Sequence, residues 1–578
     1  MVRMRTCGVV YALAALLSGV VACSDNALAQ VRPDAGALQQ QIDRERMQAH
    51  PPQGVIERPA EPPAMRPSGG ATITVTAFRF AGNTLLRSDQ LSPTVGSYLN
   101  RPLDFNELQK AAAAVATAYR DVGWIVRAYL PRQDITSGIV TIQIVEAVFG
   151  GMRLEGPKPS RESSDHVMDM VVEQQKVGEP LNADALDRAL LIASDLPGVT
   201  VAGSLGVGKL AGETDLVLKF TDKPLVTGDV ALDNTGSRST GPTRFAGNLS
   251  INSPFNAGEL ITSNFIHTQK DDQLASDGSD YIRMGFTHPI GLDGLRVGIN
   301  ASYLKYNLIS SEYSALNAWG TSTTFGVEAT YPLIRSRARN VYLNANIDHK
   351  MFDNRSLDTI TSRYISDTLT LGLSGNLFDS FGGGGANSAS LSIVDGLLNL
   401  DGSPTRSSDA ATTRTAGNFT KLRFALSRQQ VITEDLSFYA AYSGQWAAKN
   451  LDSSEKFYIG GANGVRAYPT NEGGGSDGHL LNLELRQRLP YGLTVIGFFD
   501  YGRVLVNHDN HFTGASAPNG IDLKGGGLSA VWQSDIGPTL KATWAHRIGG
   551  NPNPTAAGYD QDGTLIVDRF WLSASMAF

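Results

Sequence analysis

From about residue 224 to the end of the chain, short stretches of alternating apolar and polar residues follow one another almost without a break. Nowhere after residue 30 is there a run of about 18 apolar residues, the length a membrane-spanning helix requires. Sixteen candidate strands of about ten residues can be counted in this region, from Ala231–Asn234 through Phe245–Ile251 and Leu369–Leu377 to Leu565–Phe578. Tight turns of Gly, Asn, Asp and Pro alternate between them with longer polar loops. A chain in lipid must satisfy every backbone polar group internally, so a spanning structure without helices has to be a closed barrel. The expectation is a transmembrane β-barrel of about 16 antiparallel strands over 223–578. A soluble β-sandwich or propeller would show a blade repeat or a domain break, and neither is visible.

The last strand is the sharpest local signal. Phe570, Leu572, Ala574, Met576 and Phe578 alternate with Trp571, Ser573, Ser575 and Ala577. One face would meet lipid and the other the lumen. Phe570, Leu572, Met576 and Phe578 together resemble the C-terminal insertion signal by which outer-membrane barrels enter the bilayer. That would make outer-membrane lipid, and the barrel-assembly machinery during biogenesis, partners of this chain.

Ahead of the barrel the chain changes character four times. Residues 1–29 read as a secretory signal: Arg3 and Arg5, the apolar run Gly8–Ala22, then the small-x-small site Ala27-Leu28-Ala29. A second reading takes Val20-Val21-Ala22-Cys23 as a lipoprotein box with Cys23 lipidated. Cys7 and Cys23 are the only cysteines, so cleavage after Ala29 leaves a chain without disulfides. It also removes two Arg and one Asp, giving 47 − 55 = −8, an acidic balance that argues against a nucleic-acid partner. Residues 30–49 carry a helical pattern with Asp34 as cap and Leu38, Ile42 and Met47 near one face. On the residues alone this is equally a disordered tail. Six prolines between Pro51 and Pro67 make 50–70 a linker.

Residues 71–147 read as a small α/β module. Ile73–Phe80 alternates as a strand, and Asp104 with Glu107 forms a capping box. Leu108, Ala111, Ala112, Val115 and Tyr119 make one apolar helical stripe. Trp124–Leu130 and Ile139–Val145 follow as strands. Residues 148–222 repeat the same β-α-α-β-β order, an internal repeat of two modules.

Two constellations within the barrel could carry function. The loop Gly460–Gly475 is long and glycine-rich, and Val465, Tyr468 and Pro469 surround Arg466 with stiff, partly apolar residues. In the strand Leu493–Tyr501, Phe498 and Asp500 share a face. A carboxylate cannot cheaply face lipid, so Asp500 should point into the barrel, where Arg466 would suit it as partner.

These residues resemble a family, the outer-membrane transporters of two-partner secretion, which includes the filamentous haemagglutinin and haemolysin transporters within the BamA-like superfamily. Val465-Arg466-Ala467-Tyr468 resembles the family's Val-Arg-Gly-Tyr/Phe motif on a loop folded into the barrel, with Ala467 in place of glycine. Phe498-Phe499-Asp500 resembles its Phe-x-Asp partner on the inner wall. Phe78–Thr84, and Trp124–Asp134 with Gly138 and Glu146, resemble parts of a polypeptide-transport-associated (POTRA) domain. Asp233-Asn234-Thr235-Gly236 with Thr240-Gly241 resembles the first barrel hairpin.

The resemblance implies a mechanism. Two periplasmic POTRA domains would catch an unfolded secreted protein, with Leu108, Val115, Tyr119, Trp124, Arg127 and Tyr129 as recognition candidates. The cargo would be a large β-helical exoprotein of adhesin, haemolysin or haem-acquisition type, threaded through a monomeric barrel. At rest the N-terminal helix would plug the pore, with Leu38, Ile42 and Met47 packed inside. The alternative is a barrel-assembly factor of the same superfamily. Such factors usually carry three or more POTRA domains, and porins carry none.

Other signals carry less. Gly203–Lys209 nearly spells a phosphate-binding loop, but Leu210 stands where Ser or Thr should hold Mg²⁺ and a strand follows. Transport is therefore expected to draw on partner folding, without a nucleotide or other cofactor. His508 and His511 have metal-ligand spacing but no further ligand nearby, so no metal is expected. No Gly-x-Ser-x-Gly or His-Glu-x-x-His element points to an enzyme.

Overall fold

In a computed structural model the chain is described over residues 33–48, 72–210, 212–269, 278–534, 537–555 and 557–578. The signal-peptide reading of 1–29, the Cys23 alternative and the proline-rich linker 50–70 lie outside these residues.

Sixteen antiparallel strands close into one barrel, from the first, Val226–Asp233, to the last, Asp568–Ala577. Each strand pairs with its neighbours in sequence, and the register Asp233↔Ser573 to Asp229↔Ala577 joins last to first. Beyond that register the backbones of Gly228 and Phe578 exchange hydrogen bonds of 3.0 and 2.9 Å. The outward face is apolar as the alternation requires. Ile299, Ile347, Leu371, Leu391 and Ile393 are exposed, and so are Phe570, Leu572, Met576 and Phe578 of the last strand. Their neighbours Asn300, Ser302, Thr324 and Thr368 are buried on the lumenal side.

Several strands run longer than the sequence signal. Crossing a bilayer takes about 9–11 residues of tilted strand. Yet Arg339–Ser356 and Thr359–Asp379 are 18 and 21 residues long. The apolar outward stretch of the second covers only Leu369–Leu377. Above it the pair carries outward polar groups, including His349–Asp367 at 2.6 Å and Asp353 with Arg355 and Arg363. Polar alternation continues the ladder past the lipid, which a hydrophobic pattern cannot report.

Both small modules keep the same topology. In the first, Ala77–Ala81 runs parallel to the central strand Ile139–Glu146, whose other edge holds Val126–Tyr129 antiparallel. In the second, Val148–Leu154 runs parallel to the central strand Glu213–Asp222, and Val199–Val207 antiparallel to it. Gly203–Lys209 falls on this last hairpin, not at the start of a helix. Helix Phe105–Asp121 starts at Asp104, whose side chain takes the Glu107 N–H while Glu107 takes the Asp104 N–H.

This packing corrects part of the recognition set. Leu108, Val115 and Tyr119 lie beneath that helix, at most 5% exposed, against Val140, Ile142 and Ile144. An apolar stripe at helical spacing is first of all a packing face, so they line no open groove. Trp124 is partly exposed, and Arg127 and Tyr129 are exposed on the edge strand, the guanidinium 5.6 Å from the ring centre.

The modules are locked together and to the barrel. Ala183 N–H donates to Gly123 O at 2.7 Å and Leu181 N–H to Ala147 O at 2.8 Å. Arg335 forks onto Asp195 with two bonds of 2.8 Å, and Arg337 reaches Asp187 at 2.8 Å, tying the second module to a barrel turn.

Candidate functional site: the barrel lumen

The lumen is occupied by two pieces of chain. The first is the N-terminal helix, Ala35–Gln48. Asp34 caps it, accepting from Ala37 N–H at 2.8 Å. Gln39–Asp43 and Gln41–Glu45 hydrogen bonds brace successive turns. A lone helix of 14 residues is marginal in water, so its stability comes from what surrounds it. Ala35 and Leu38 are buried among Tyr306, Leu308, Phe352, Tyr364 and Leu398, with Ile42 packed against the same cluster. Met47 falls in the last turn, its side chain outside the part described. A Cβ on Gly36 would stand 2.6 Å from the Tyr364 hydroxyl, so the close approach needs glycine there.

Polar contacts fix both ends of the helix. Ala35 N–H donates to Asn354 Oδ1 at 3.0 Å, and Ser453 Oγ donates to Asp34 Oδ2 at 2.7 Å. Midway, Arg423 Nη2 donates to Gln40 at 3.1 Å. At the other end Arg244 holds Glu45 at 2.5 Å, while Arg44 donates to the carbonyls of Tyr458 and Asn463. A cavity of about 490 Å³ remains beside the helix, lined by groups such as Arg283, Asp348, Lys350 and Arg423.

The second piece is the loop 448–476, between the strands Leu436–Ala447 and Asp477–Arg488. It folds inward. Ile459, Val465, Ala467 and Tyr468 are fully buried. Arg466 is 5% exposed and Asp500 0%. The Arg466 guanidinium makes a two-pronged contact with Asp500, Nε at 2.8 Å and Nη2 at 2.7 Å, and its backbone N–H adds a third bond at 3.1 Å. Nη1 donates to Glu484 at 2.8 Å, and the guanidinium lies 3.6 Å from the centre of the Phe498 ring. Asn482 completes the set by donating to Asp500 at 2.7 Å and to Gly464 O at 3.0 Å.

The loop's foot is clamped separately. Glu455 is 2% exposed and accepts from Lys421 at 2.6 Å and Lys350 at 3.2 Å. Glu455 therefore holds the inward excursion near its start, and Asp500 holds it at Arg466 near its middle. Ala467, where the family motif has glycine, is not in the left-handed region. Its Cβ instead packs against the wall at Gly525, where an added Cβ would meet it at 2.6 Å. The loss of one glycine is accommodated by another across the gap.

Sequence reasoning did not single out Glu484, Asn482, Gly525, Glu455 or Trp571, whose indole donates to Arg466 O at 2.8 Å. For Asn482 and Glu484 a signal existed: in Leu480–Arg488 they share the polar face of a period-two pattern. His508 and His511 sit beside Asp477 and Asp509, and no cluster of ligands suited to a metal ion occurs among the described residues.

Comparison with known proteins places this geometry. Residues 212–525 match the family described as haemolysin secretion/activation protein ShlB/FhaC/HecB, and residues 73–147 match the ShlB-type POTRA domain. The chain belongs to this family. It is an outer-membrane transporter that moves a secreted partner protein to the cell surface, with its POTRA domains in the periplasm. The heme/hemopexin transporter protein HuxB of Haemophilus influenzae is 26% identical over 594 residues, covering 100% of both chains. The structure of CdiB from Escherichia coli matches with a TM-score of 0.68 at 21% identity, covering 95% of this chain and all of that one. BamA from Haemophilus ducreyi lacking POTRA domains 1–3 is more distant, with a TM-score of 0.50 at 14% identity over 88% of this chain and all of that one.

Proposed function

We propose that this transporter exports one large β-helical exoprotein, and that the helix Ala35–Gln48 closes the conduit between transport events. The support is the helix itself, held inside the lumen by the wall at Asn354, Arg423 and Arg244 and by the inward loop at Ser453, Tyr458 and Asn463. These bonds are polar and individually modest, so the helix can be exchanged for an extended chain that makes similar ones. In the periplasm the cargo is caught extended, along the free edges of Val126–Tyr129 and Val199–Val207, where unpaired backbone groups accept another strand. Trp124, Arg127 and Tyr129 supply the side-chain contacts at the first of these edges. Arg466 and Asp500 keep the inward loop folded against the wall, so that the conduit retains its shape while the helix moves.

A haem-acquisition exoprotein is the first cargo candidate of this reading, supported by the relatives named for haem and hemopexin. The test is to delete this chain from its host and fractionate the cells. A large secreted protein held in the periplasm, with other barrel proteins inserting normally, is the expected result. A general loss of outer-membrane barrels would instead establish the barrel-assembly reading.

A further inference from the structure

The outward face of the barrel turns polar toward its extracellular end, and at one place the charges there are not met within the wall. The POTRA domains enter the barrel at its first strand, so odd-numbered strands run toward the cell surface, and Leu493–Leu505 is the thirteenth. Its outward side reads Val495, Gly497, Phe499, Tyr501, Arg503 in that direction. The next strand, Gly520–Gln533, returns with Asp522, Lys524, Gly526 and Leu528 outward. Register sets Tyr501 opposite Lys524 and Arg503 opposite Asp522, with His479 of the preceding strand on the other side of Arg503. Toward the periplasm these three strands turn out Leu485, Val495, Leu528 and Trp532 but no charged residue.

The Tyr501 hydroxyl donates to Asp522 Oδ1 at 2.8 Å, and its ring lies 5.8 Å from the His479 ring and 5.7 Å from Lys524 Nζ. Arg503 Nη1 stands 3.7 Å from Asp522 Oδ2, with half of its side chain exposed. Lys524 is exposed and reaches no carboxylate among the described residues. Two cations therefore face one carboxylate that a hydroxyl already occupies. Farther round the rim, Arg355 and Arg363 both bond Asp353 directly and Asp367 stands beside them with His349, so the charges there balance. Tyr442, Trp446 and Trp544 are exposed on nearby strands. Outward aromatic rings of this kind mark the headgroup level of a bilayer, where long basic side chains lay their stems on apolar surface and carry the charge to the lipid phosphates.

We propose that Arg503 and Lys524, set either side of the Tyr501 ring, bind a phosphate of an outer-leaflet glycolipid of the lipid A class, whose acyl chains lie over Phe499 and Leu528. The guanidinium fork takes two phosphate oxygens and the ammonium a third. Asp522 is the positioning residue: it holds the Tyr501 hydroxyl, and through it the ring between the two cations. The extracellular position of the cations assigns the outer leaflet, because the periplasmic ends of the same strands offer an inner-leaflet headgroup no charge. The site is on the outside of the wall and does not depend on what closes the lumen.

Native mass spectrometry of the full chain in detergent, titrated with diphosphorylated lipid A, tests this, with dephosphorylated lipid A and phosphatidylglycerol as the comparison lipids. The unaltered chain is expected to bind diphosphorylated lipid A in preference to both. Arg503→Gln combined with Lys524→Gln should weaken that binding about tenfold or more, and Arg363→Gln, on the balanced part of the rim, should leave it unchanged. Heat-modifiable migration checks that each variant is folded, and Lys524→Gln alone serves should the double variant fail to fold. Binding that survives loss of both cations, or that Arg363→Gln weakens equally, overturns the site. Equal binding of phosphatidylglycerol overturns the outer-leaflet assignment. Loss of binding on adding EDTA to the unaltered chain makes a divalent ion at Asp522 the contact and overturns direct recognition of phosphate by the two cations.

Discussion

Arg466 has donors on all three of its guanidinium nitrogens committed inside the barrel, two to Asp500 and one to Glu484. Lysine has the charge but not the fork, so Arg466→Lys can satisfy one carboxylate and leaves the other short. Breaking a buried pair from one side costs about 3–5 kcal/mol. Arg466→Ala is therefore expected to release the inward loop and abolish secretion. Arg466→Lys should reduce it while leaving the barrel folded, as read by exported cargo against heat-modifiable migration. Exchanging the charges of Arg466 and Asp500 should rescue little, because an acidic residue at 466 would lie against Glu484, which would lose one of its two arginine partners and keep only Arg486. The Arg466–Asp500 pairing could be read from a period of two and the cost of a carboxylate in lipid. Glu484 and Asn482 could have been found the same way, since they lie on the lumenal face of the neighbouring strand. Gly525 could not: its value depends on Ala467 reaching it across 58 residues of sequence.

At the scale of elements, alternation located sixteen strands because every one has a lipid-facing apolar side, but it stopped where the lipid stops. The outer halves of Arg339–Ser356 and Thr359–Asp379 are mostly polar on the outward face and turn aromatics, Phe352 and Tyr364, inward onto the helix, so a lipid-facing apolar pattern is silent there. In the first POTRA domain the same kind of reading went too far, taking a packing stripe for a binding surface. Its Glu146 shows what such domains hold instead: it accepts from Thr84 N–H, Leu85 N–H and Tyr119 Oη at 2.7 to 2.9 Å. Those bonds hold its carboxyl below the usual range. A depressed folded value means this support is present above the unfolded pKa and fades as pH falls through the folded one. Glu146→Gln should weaken the domain by about 1–2 kcal/mol at neutral pH and make it less sensitive to acid, measured by limited proteolysis.

The junction of the second POTRA domain with the barrel behaves oppositely. Glu162 is 4% exposed beside the barrel turn carrying Glu259, with Oε2 unpartnered among the described residues. Burial first, and the nearby Glu259 charge second, push its carboxyl up to about 7. A raised folded value means the docked state favours the proton. Docking is then strongest below the unfolded pKa of 4.5 and is lost progressively as pH rises through about 7. Hydrogen-exchange protection around residues 160–166 and 255–259, taken relative to the intrinsic base-catalysed rate at each pH, should rise between pH 8 and pH 5, and Glu162→Gln should flatten that change. Unchanged protection across this window in the unaltered chain would contradict the assignment.

At the scale of the whole molecule, the barrel, the helix and the inward loop form a conduit whose lumen is polar and whose outside is apolar. Neighbouring residues on one strand separate the two environments: Ser392 lines the lumenal cavity, while Ile393 is 54% exposed on the outer face. Asn344 and Leu343 make the same contrast two strands earlier. The central claim is that a partner chain passes through this lumen. The most direct measurement places a photo-crosslinking residue singly at 343, 344, 392 and 393 and arrests a cargo in transit by fusing it to a stably folded domain. Cargo crosslinked at 344 and 392 but not at 343 and 393 is the predicted result. Crosslinks at 343 and 393, or none at the lumenal pair while the cargo is arrested, would contradict the account.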